Sequence, residues 1–206
     1  MLGQHGRKFT SFIFSPIVNI LYKKKVHPDT VTIFGTVLAC LVAVLTIPLG
    51  FAWQGAIILG VILFSDSVDG MLARKMGISG PYGAFLDSVL DRISDGVIFA
   101  SISFYCAYYM SGVIGHVTFV VSLILMVFST TVPYARAKGQ AYNVEPKIGI
   151  AERGDRLVIA LVALGFTDMG LGNWIILLAL VYLALASAYT TYQRIMYVKK
   201  HLATNN

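Results

Sequence analysis

Long apolar runs alternate with short polar connections along this chain. The runs cover about residues 31–51, 54–72, 84–110, 113–134, 157–167 and 172–197. A helix crossing the hydrocarbon of a bilayer takes about 20 predominantly apolar residues, so the pattern predicts six transmembrane helices. The fifth run is short and reaches spanning length only if Asp155 and Arg156 begin its helix at the interface. Pro48 falls near the end of the first run, where a break is tolerable. Ahead of that run, Arg7 and Lys8 precede Phe12, Ile13, Phe14, Ile17, Ile20 and Leu21, and Lys23, Lys24 and Lys25 follow. This spacing predicts an amphipathic helix on the membrane surface within residues 1–26, held by apolar burial and anionic lipid. The plainer alternative is a basic flank that only orients the first span. The expected fold is therefore an all-α integral membrane protein, one domain over 1–206, with a juxtamembrane helix in 1–26 and a six-helix bundle in 27–200.

Composition agrees with the pattern. Of 206 residues, 57% are hydrophobic and only 13% charged. One small soluble core cannot hide that many apolar side chains, and disorder requires low hydrophobicity. Cys40 and Cys106 both sit inside apolar runs, which is no disulfide framework. The first eleven residues are too polar for a signal-peptide core, so insertion through the first span is expected. Net charge is +6, and its distribution matters more than its size. Lys and Arg cluster at Arg7–Lys25, Arg74–Lys75, Arg136–Arg156 and Lys199–Lys200, whereas the connections near 50–53, 110–115 and 167–173 contain none. Alternating basic and bare loops place both termini in the cytoplasm and the protein in the cell membrane. Membrane lipids are expected partners and nucleic acid is not.

The acidic residues carry the chemistry. Asp66, Asp69, Asp87 and Asp91 lie at the cytoplasmic ends of the second and third runs, with Asp95 deeper in the third. A carboxylate near hydrocarbon is costly unless it is paired or ligates a metal. Asp66 and Asp69 are spaced i, i+3 and Asp87 and Asp91 i, i+4, so each pair shares a helical face. Gly77, Gly80, Pro81 and Gly83 between them suit a tight turn that lets the two faces meet. Four hard oxygen ligands suit Mg²⁺ or Mn²⁺, two such ions balance four negative charges, and paired metals commonly clamp phosphoryl groups. Spacing alone leaves two other readings open: interface carboxylates paired with Arg74, Lys75 and Arg92, or the ion path of a cation transporter. The latter would need polar groups continuing to the outer side, where Asp168 is the only carboxylate.

The full string reads Asp66-x2-Asp69-Gly70-x2-Ala73-Arg74-x8-Gly83-x3-Asp87-x3-Asp91. In these eight positions the chain resembles the CDP-alcohol phosphotransferase family. The resemblance implies a six-helix membrane fold, usually homodimeric, with a two-metal site facing the cytoplasm. Such enzymes join a CDP-linked donor to an alcohol and release CMP. By the resemblance, Asp66, Asp69 and Asp87 hold one ion, and Asp66, Asp87 and Asp91 hold the second. Asp91 is also the general base. Gly70 and Ala73 let a flat cytosine ring approach, and Arg74 meets the donor's phosphates or nucleotide. Gly80 lets backbone meet the donor. Snorkelling for Arg74 and turn geometry for Gly80 are the structural alternatives. Asp95, outside the signature, is expected to be a buried partner of Arg92 or of a neighbouring helix. His27-Pro28-Asp29-Thr30-Val31-Thr32 opens the first span with helix-start residues. The corresponding family segment helps bind CDP, which implies donor contacts for Asp29 and Thr32. A site at the leaflet suits a lipid donor, CDP-diacylglycerol.

The acceptor is read from a second basic set. Arg136, Arg153 and Arg194 come from three segments near span ends and are expected to converge as a phosphate pocket; for each alone, loop charge bias is explanation enough. A phosphorylated acceptor is then favoured over free inositol, serine or choline, leaving inositol 1-phosphate and glycerol 3-phosphate. Tyr134-Ala135-Arg136-Ala137-Lys138, the segment Gly149 to Arg156, and Gln193-Arg194 resemble the actinobacterial members that use inositol 1-phosphate, and by that resemblance the three arginines hold its phosphate. Tyr105, Tyr108, Tyr109 and Trp174 are expected to be interface-belt aromatics.

Overall fold

The computed structural model describes residues 4–150 and 152–203; residues 1–3 of the expected surface helix lie outside them. All regular structure among the described residues is helical. It runs as α1 (Gln4–Lys23), α2 (Pro28–Thr46), α3 (Ala52–Ser65), α4 (Val68–Met76), α5 (Pro81–Tyr109), α6 (Gly112–Gln140), α7 (Arg153–Phe166) and α8 (Trp174–Ala203). Six helices pack in a closed ring, each touching the next in the order α2, α5, α6, α8, α7, α3 and back to α2. The main core fills the ring with Ile47, Leu59, Phe99, Ile102, Leu125, Leu164, Ile176 and Leu180, all fully buried. Outside it, Phe34, Leu41, Leu45, Val61, Val113, Val120, Leu178 and Leu185 stand exposed. An apolar belt of that extent is tolerable only in contact with lipid.

Local chemistry sets the helix ends. Pro28 opens α2 at a position whose N–H would be unpaired anyway, and the His27 ring accepts from the Asp29 N–H at 3.3 Å. Pro48 lies in a single turn of tighter helix, Ile47–Leu49, that closes α2 before Gly50 reverses the chain at φ +84°. Glu152 and Asp155 form a capping box that starts α7 at Arg153. The fifth apolar run thus does begin its helix at the polar residues, and a wider turn, Thr167–Leu171, extends it.

Among the described residues, four stretches are long and apolar enough to cross a membrane: Pro28–Leu49, Ala52–Met76, Gly112–Gln140 and Trp174–Ala203. The other two members of the ring differ for physical reasons. α5 is 29 residues long but carries Asp87, Asp91, Arg92 and Asp95 in its first half, and α7 has only 14 residues. The second apolar run is also not one helix, since α3 ends at Ser65 and α4 begins at Val68. Asp66 therefore sits in the break rather than on a shared helical face with Asp69.

α1 rests on α4. Phe14 and Val18 are buried against Val68 and Leu72, while Ile13, Ile17 and Ile20 stay exposed. At the opposite end of the ring, Asp168 accepts from the Trp53 backbone N–H at 2.9 Å and from the Tyr105 hydroxyl at 3.0 Å. Tyr105 is buried at 5% exposure, so it is a packing residue rather than a belt aromatic; Tyr108, Tyr109 and Trp174 are exposed.

Pro133 interrupts α6 and withholds the N–H that would pair with the Ser129 carbonyl. The buried Arg156 guanidinium donates to that carbonyl at 3.4 Å, and Arg194 donates to the neighbouring Val132 carbonyl at 2.5 Å. The proline break is thereby stitched to α7 and α8. The α5–α6 connection is equally tight: a Cβ on Gly115 would stand 2.4 Å from the Met110 carbonyl oxygen, a backbone atom with no room to yield. Gly115→Ala is expected to cost about 1–3 kcal/mol through overpacking, read as a lower melting temperature in detergent.

Candidate active site

The α2 start, α4 and the 77–84 turn enclose a cavity of about 480 Å³. All six residues expected to meet the donor line it: Asp29, Thr32, Gly70, Ala73, Arg74 and Gly80, together with Asp69 and Asp87. Gly77, at φ +69°, ends α4, and extended Gly80 followed by Pro81 starts α5, so the expected turn joins the two aspartate-bearing helices; their faces do not pack directly on one another, and each rests on α2 instead. Asp69 is held in place. Its carboxylate accepts from the Thr32 hydroxyl at 2.6 Å and from the Gly70 N–H at 2.5 Å.

A larger cavity of about 840 Å³ lies on the other side of α5. Arg136, Arg153 and Arg194 all line it, as do Asp87 and Asp91. Asp87 borders both cavities, with Asp69 on the first and Asp91 on the second, while Asp66 and Asp95 line neither. Arg153 reaches from the second cavity into the carboxylates. Its Nη1 lies 2.8 Å from Asp66 and 2.9 Å from Asp91, its Nε 2.9 Å from Asp95, and its Nη2 donates to Ser94 Oγ at 3.2 Å. Asp95 is thus the buried partner of a neighbouring helix, and that partner is Arg153 rather than Arg92. Arg92 instead lies 3.6 Å from Asp91.

The carboxylates act on one another electrostatically: Asp87 feels Asp69 and Asp66, and Asp91 feels Asp87 and Asp66. Among the described residues, Asp66, Asp91 and Asp95 pair with Arg153, Asp91 also lies beside Arg92, and Asp95 also feels Arg156, so the five carboxylates outnumber the guanidiniums around them. Hard oxygen donors in excess over their cations fit a hard divalent ion by ligand type. As placed, no three of them among the described residues are gathered closely enough to hold an ion unaided. Asp66 and Asp91 turn to Arg153, whereas Asp69 turns to Thr32 and Gly70.

Ser79 and Tyr82 border the first cavity and Gln140 and Lys147 the second; at the ends of helices or in connections, they carry no spacing signal in the sequence. Arg156 is visible in the basic cluster, yet its burial follows from Pro133 and is not readable from charge.

The model of the CDP-alcohol phosphatidyltransferase family matches residues 25–185. The chain belongs to that family. It is an integral membrane enzyme of the phosphatidyl-transfer class. Curated family members include the phosphatidylinositol phosphate synthase of Cutibacterium acnes, 37% identical over 204 residues and covering 96% of this chain and 97% of that protein. The synthase of the same name from Corynebacterium glutamicum is 36% identical over 200 residues, covering 97% and 90%. Two solved structures of the Mycobacterium tuberculosis phosphatidylinositol phosphate synthase are similar at 32% identity with a TM-score of 0.83. One has CDP-DAG bound and covers 90% of this chain and 93% of that one. The other is in complex with manganese and citrate and covers 89% and 87%.

Proposed function

We propose that this chain transfers the phosphatidyl group of CDP-diacylglycerol to the hydroxyl of inositol 1-phosphate, giving phosphatidylinositol phosphate and CMP. The observation that carries the reading is the pair of cavities meeting at Asp87, one lined by the donor-motif residues and the other by three arginines from α6, α7 and α8. The relatives' names and the CDP-DAG bound to the mycobacterial structure support the same assignment. Glycerol 3-phosphate is the alternative acceptor. Transport is disfavoured, because Asp168 at the far end is engaged by Trp53 and Tyr105.

The ring's six helices all span the plasma membrane, both termini and both cavities face the cytoplasm, and α1 lies on the leaflet among membrane lipids. The working unit is a homodimer. The acyl chains of the donor lie in the bilayer while its nucleotide enters between α2 and α4. Small Gly70 and Ala73 leave room for the base, Arg74 and the Gly80 turn meet the phosphates, and Asp29 and Thr32 border the ribose and phosphate. Asp66, Asp69 and Asp87 would hold one divalent ion and Asp66, Asp87 and Asp91 a second, Mg²⁺ or Mn²⁺, and such ions would supply positive charge for the pyrophosphate and the departing phosphate. Arg136, Arg153 and Arg194 orient the acceptor by its phosphate. Its hydroxyl oxygen bonds to the phosphorus carrying diacylglycerol, the bond from that phosphorus to the CMP oxygen breaks with its electron pair, and the hydroxyl proton passes to Asp91.

Equimolar inositol 1-phosphate and glycerol 3-phosphate offered together to the purified protein with CDP-diacylglycerol test the acceptor. Mass spectrometry of the lipid product should show phosphatidylinositol phosphate in large excess; a predominance of phosphatidylglycerophosphate would overturn the assignment. The donor cavity is tested separately. A Cβ on Gly70 meets only the Arg74 guanidinium among the described residues, Nη1 at 3.4 Å and Nη2 at 4.0 Å. Gly70→Leu should therefore fold normally yet fill the cavity, raising KM for the CDP-lipid about tenfold or more, a loss of about 1.4 kcal/mol in binding.

A further inference from the structure

The connection between α6 and α7 lines the second cavity with Lys147, Ile148, Gly149 and Glu152, and it is anchored at two points. At one end the Val144 N–H donates to the Gly139 carbonyl at 3.0 Å, and a Cβ on Gly139 would stand 2.9 Å from the Val144 oxygen. At the other, Arg194 Nε donates to the Ile148 carbonyl at 3.0 Å. Between these anchors lies Glu145. One of its oxygens accepts from Arg136 Nη2 at 2.8 Å and Gln140 Nε2 at 3.1 Å, and the other lies 3.2 Å from Lys147 Nζ. Arg136, Gln140 and Lys147 all line the cavity. Arg136 and Lys147 hold the Glu145 carboxyl below the usual carboxylate range, so it is ionised at neutral pH. Arg136 also keeps a buried Nε without a partner among the described residues.

We propose that Glu145 is an internal competitor of the acceptor's phosphate: its carboxylate occupies the cationic edge formed by Arg136 and Lys147, and an incoming phosphate must displace it. The ligand class is a phosphate monoester dianion. Arg136 can form a two-pronged contact with either anion, and a phosphate offers more charge and one more oxygen than the carboxylate. The displaced pairs are exposed and individually weak, so the latch yields to substrate yet discriminates against acceptors without a phosphate, which cannot displace it. Acceptor selectivity then comes partly from a repulsive element, as specificity commonly does.

This inference rests on the second cavity being the acceptor site, and its test separates the two ideas. Glu145→Gln keeps shape and hydrogen-bonding capacity but removes the charge. With the full-length protein in detergent, KM for inositol 1-phosphate should fall by roughly three- to tenfold, as expected for two exposed ion pairs, with kcat within about twofold. Inhibition by inorganic phosphate should strengthen by the same factor, which a purely structural role of Glu145 would not produce. Glu145→Asp, retaining the charge, should stay near wild type on both readouts. A raised KM in Glu145→Gln would mean that Glu145 positions Arg136 for substrate, and an unchanged KM and phosphate inhibition would mean that the contact is incidental; either overturns the latch. Absence of turnover with inositol 1-phosphate in the wild type would instead overturn the acceptor assignment itself.

Discussion

Asp91→Asn should lower the rate of CMP release by about a thousandfold or more while leaving a folded protein, because a positioned general base contributes about 10² to 10⁴ and this carboxylate is also proposed to ligate an ion. The side chain stands where both halves of the site can use it. It lines the arginine cavity, lies 2.9 Å from Arg153 and neighbours Asp87, which borders both cavities. Asn is nearly isosteric and can still accept from Arg153, which in any case retains Asp66 and Asp95. Stability should therefore change little. The informative comparison is turnover against melting temperature in the same preparation. A variant with normal melting and a rate within tenfold of wild type would remove Asp91 from the chemistry.

The second large effect is expected at Arg153, where stability and activity should both suffer. Its guanidinium pairs with Asp66, Asp91 and Asp95 at once, and Asp95 is almost wholly buried, its side chain 2% exposed. Arg153→Ala leaves that carboxylate without its partner at a cost of about 3 kcal/mol, at the lower end for a broken buried pair because Arg153 itself retains some solvent contact. Arg153→Lys should recover only part of this, since one ammonium cannot reproduce a fork that reaches three carboxylates and Ser94. Adding Asp95→Asn to Arg153→Ala should restore much of the melting temperature by removing the stranded charge, a coupling that a double-mutant cycle measures. Turnover should not return, because the proposed acceptor cavity still lacks an arginine. Recovery of both together would make Arg153 a structural residue only.

Much of this site is legible in the sequence because it is written in local spacing. The i, i+4 pair Asp87 and Asp91 occupies one stretch of α5, and the Gly77–Gly83 punctuation does make the turn between α4 and α5, although the two helices meet through α2 rather than face to face. The segment from His27 to Thr32 does open α2, and Thr32 meets Asp69 across 37 positions. What spacing could not convey is the break at Asp66 and Ser67. An apolar run continues through it, so the helical register appears unbroken in sequence although Asp66 turns toward α7 and Asp69 toward α2. The partner of Asp95 was equally hidden. Arg92 is its neighbour in sequence, yet Arg153 reaches it from 58 positions away, through ring closure that no local pattern encodes. Arg156 illustrates the same limit. Its charge is visible in the sequence, but its task of capping the carbonyl freed by Pro133 depends on where α7 packs.

Two cavities meet at Asp87, one proposed for a CDP-lipid and one for a phosphorylated alcohol. CMP release tests this most directly. The purified protein would receive CDP-diacylglycerol and Mg²⁺ with inositol 1-phosphate, glycerol 3-phosphate or free inositol in parallel, and Asp91→Asn as control. The account predicts rapid release with inositol 1-phosphate, little with the other two, and none above background in the variant. Equal release with free inositol would contradict the arginine cavity as a phosphate site, and no release with any acceptor from folded protein would contradict the transferase reading.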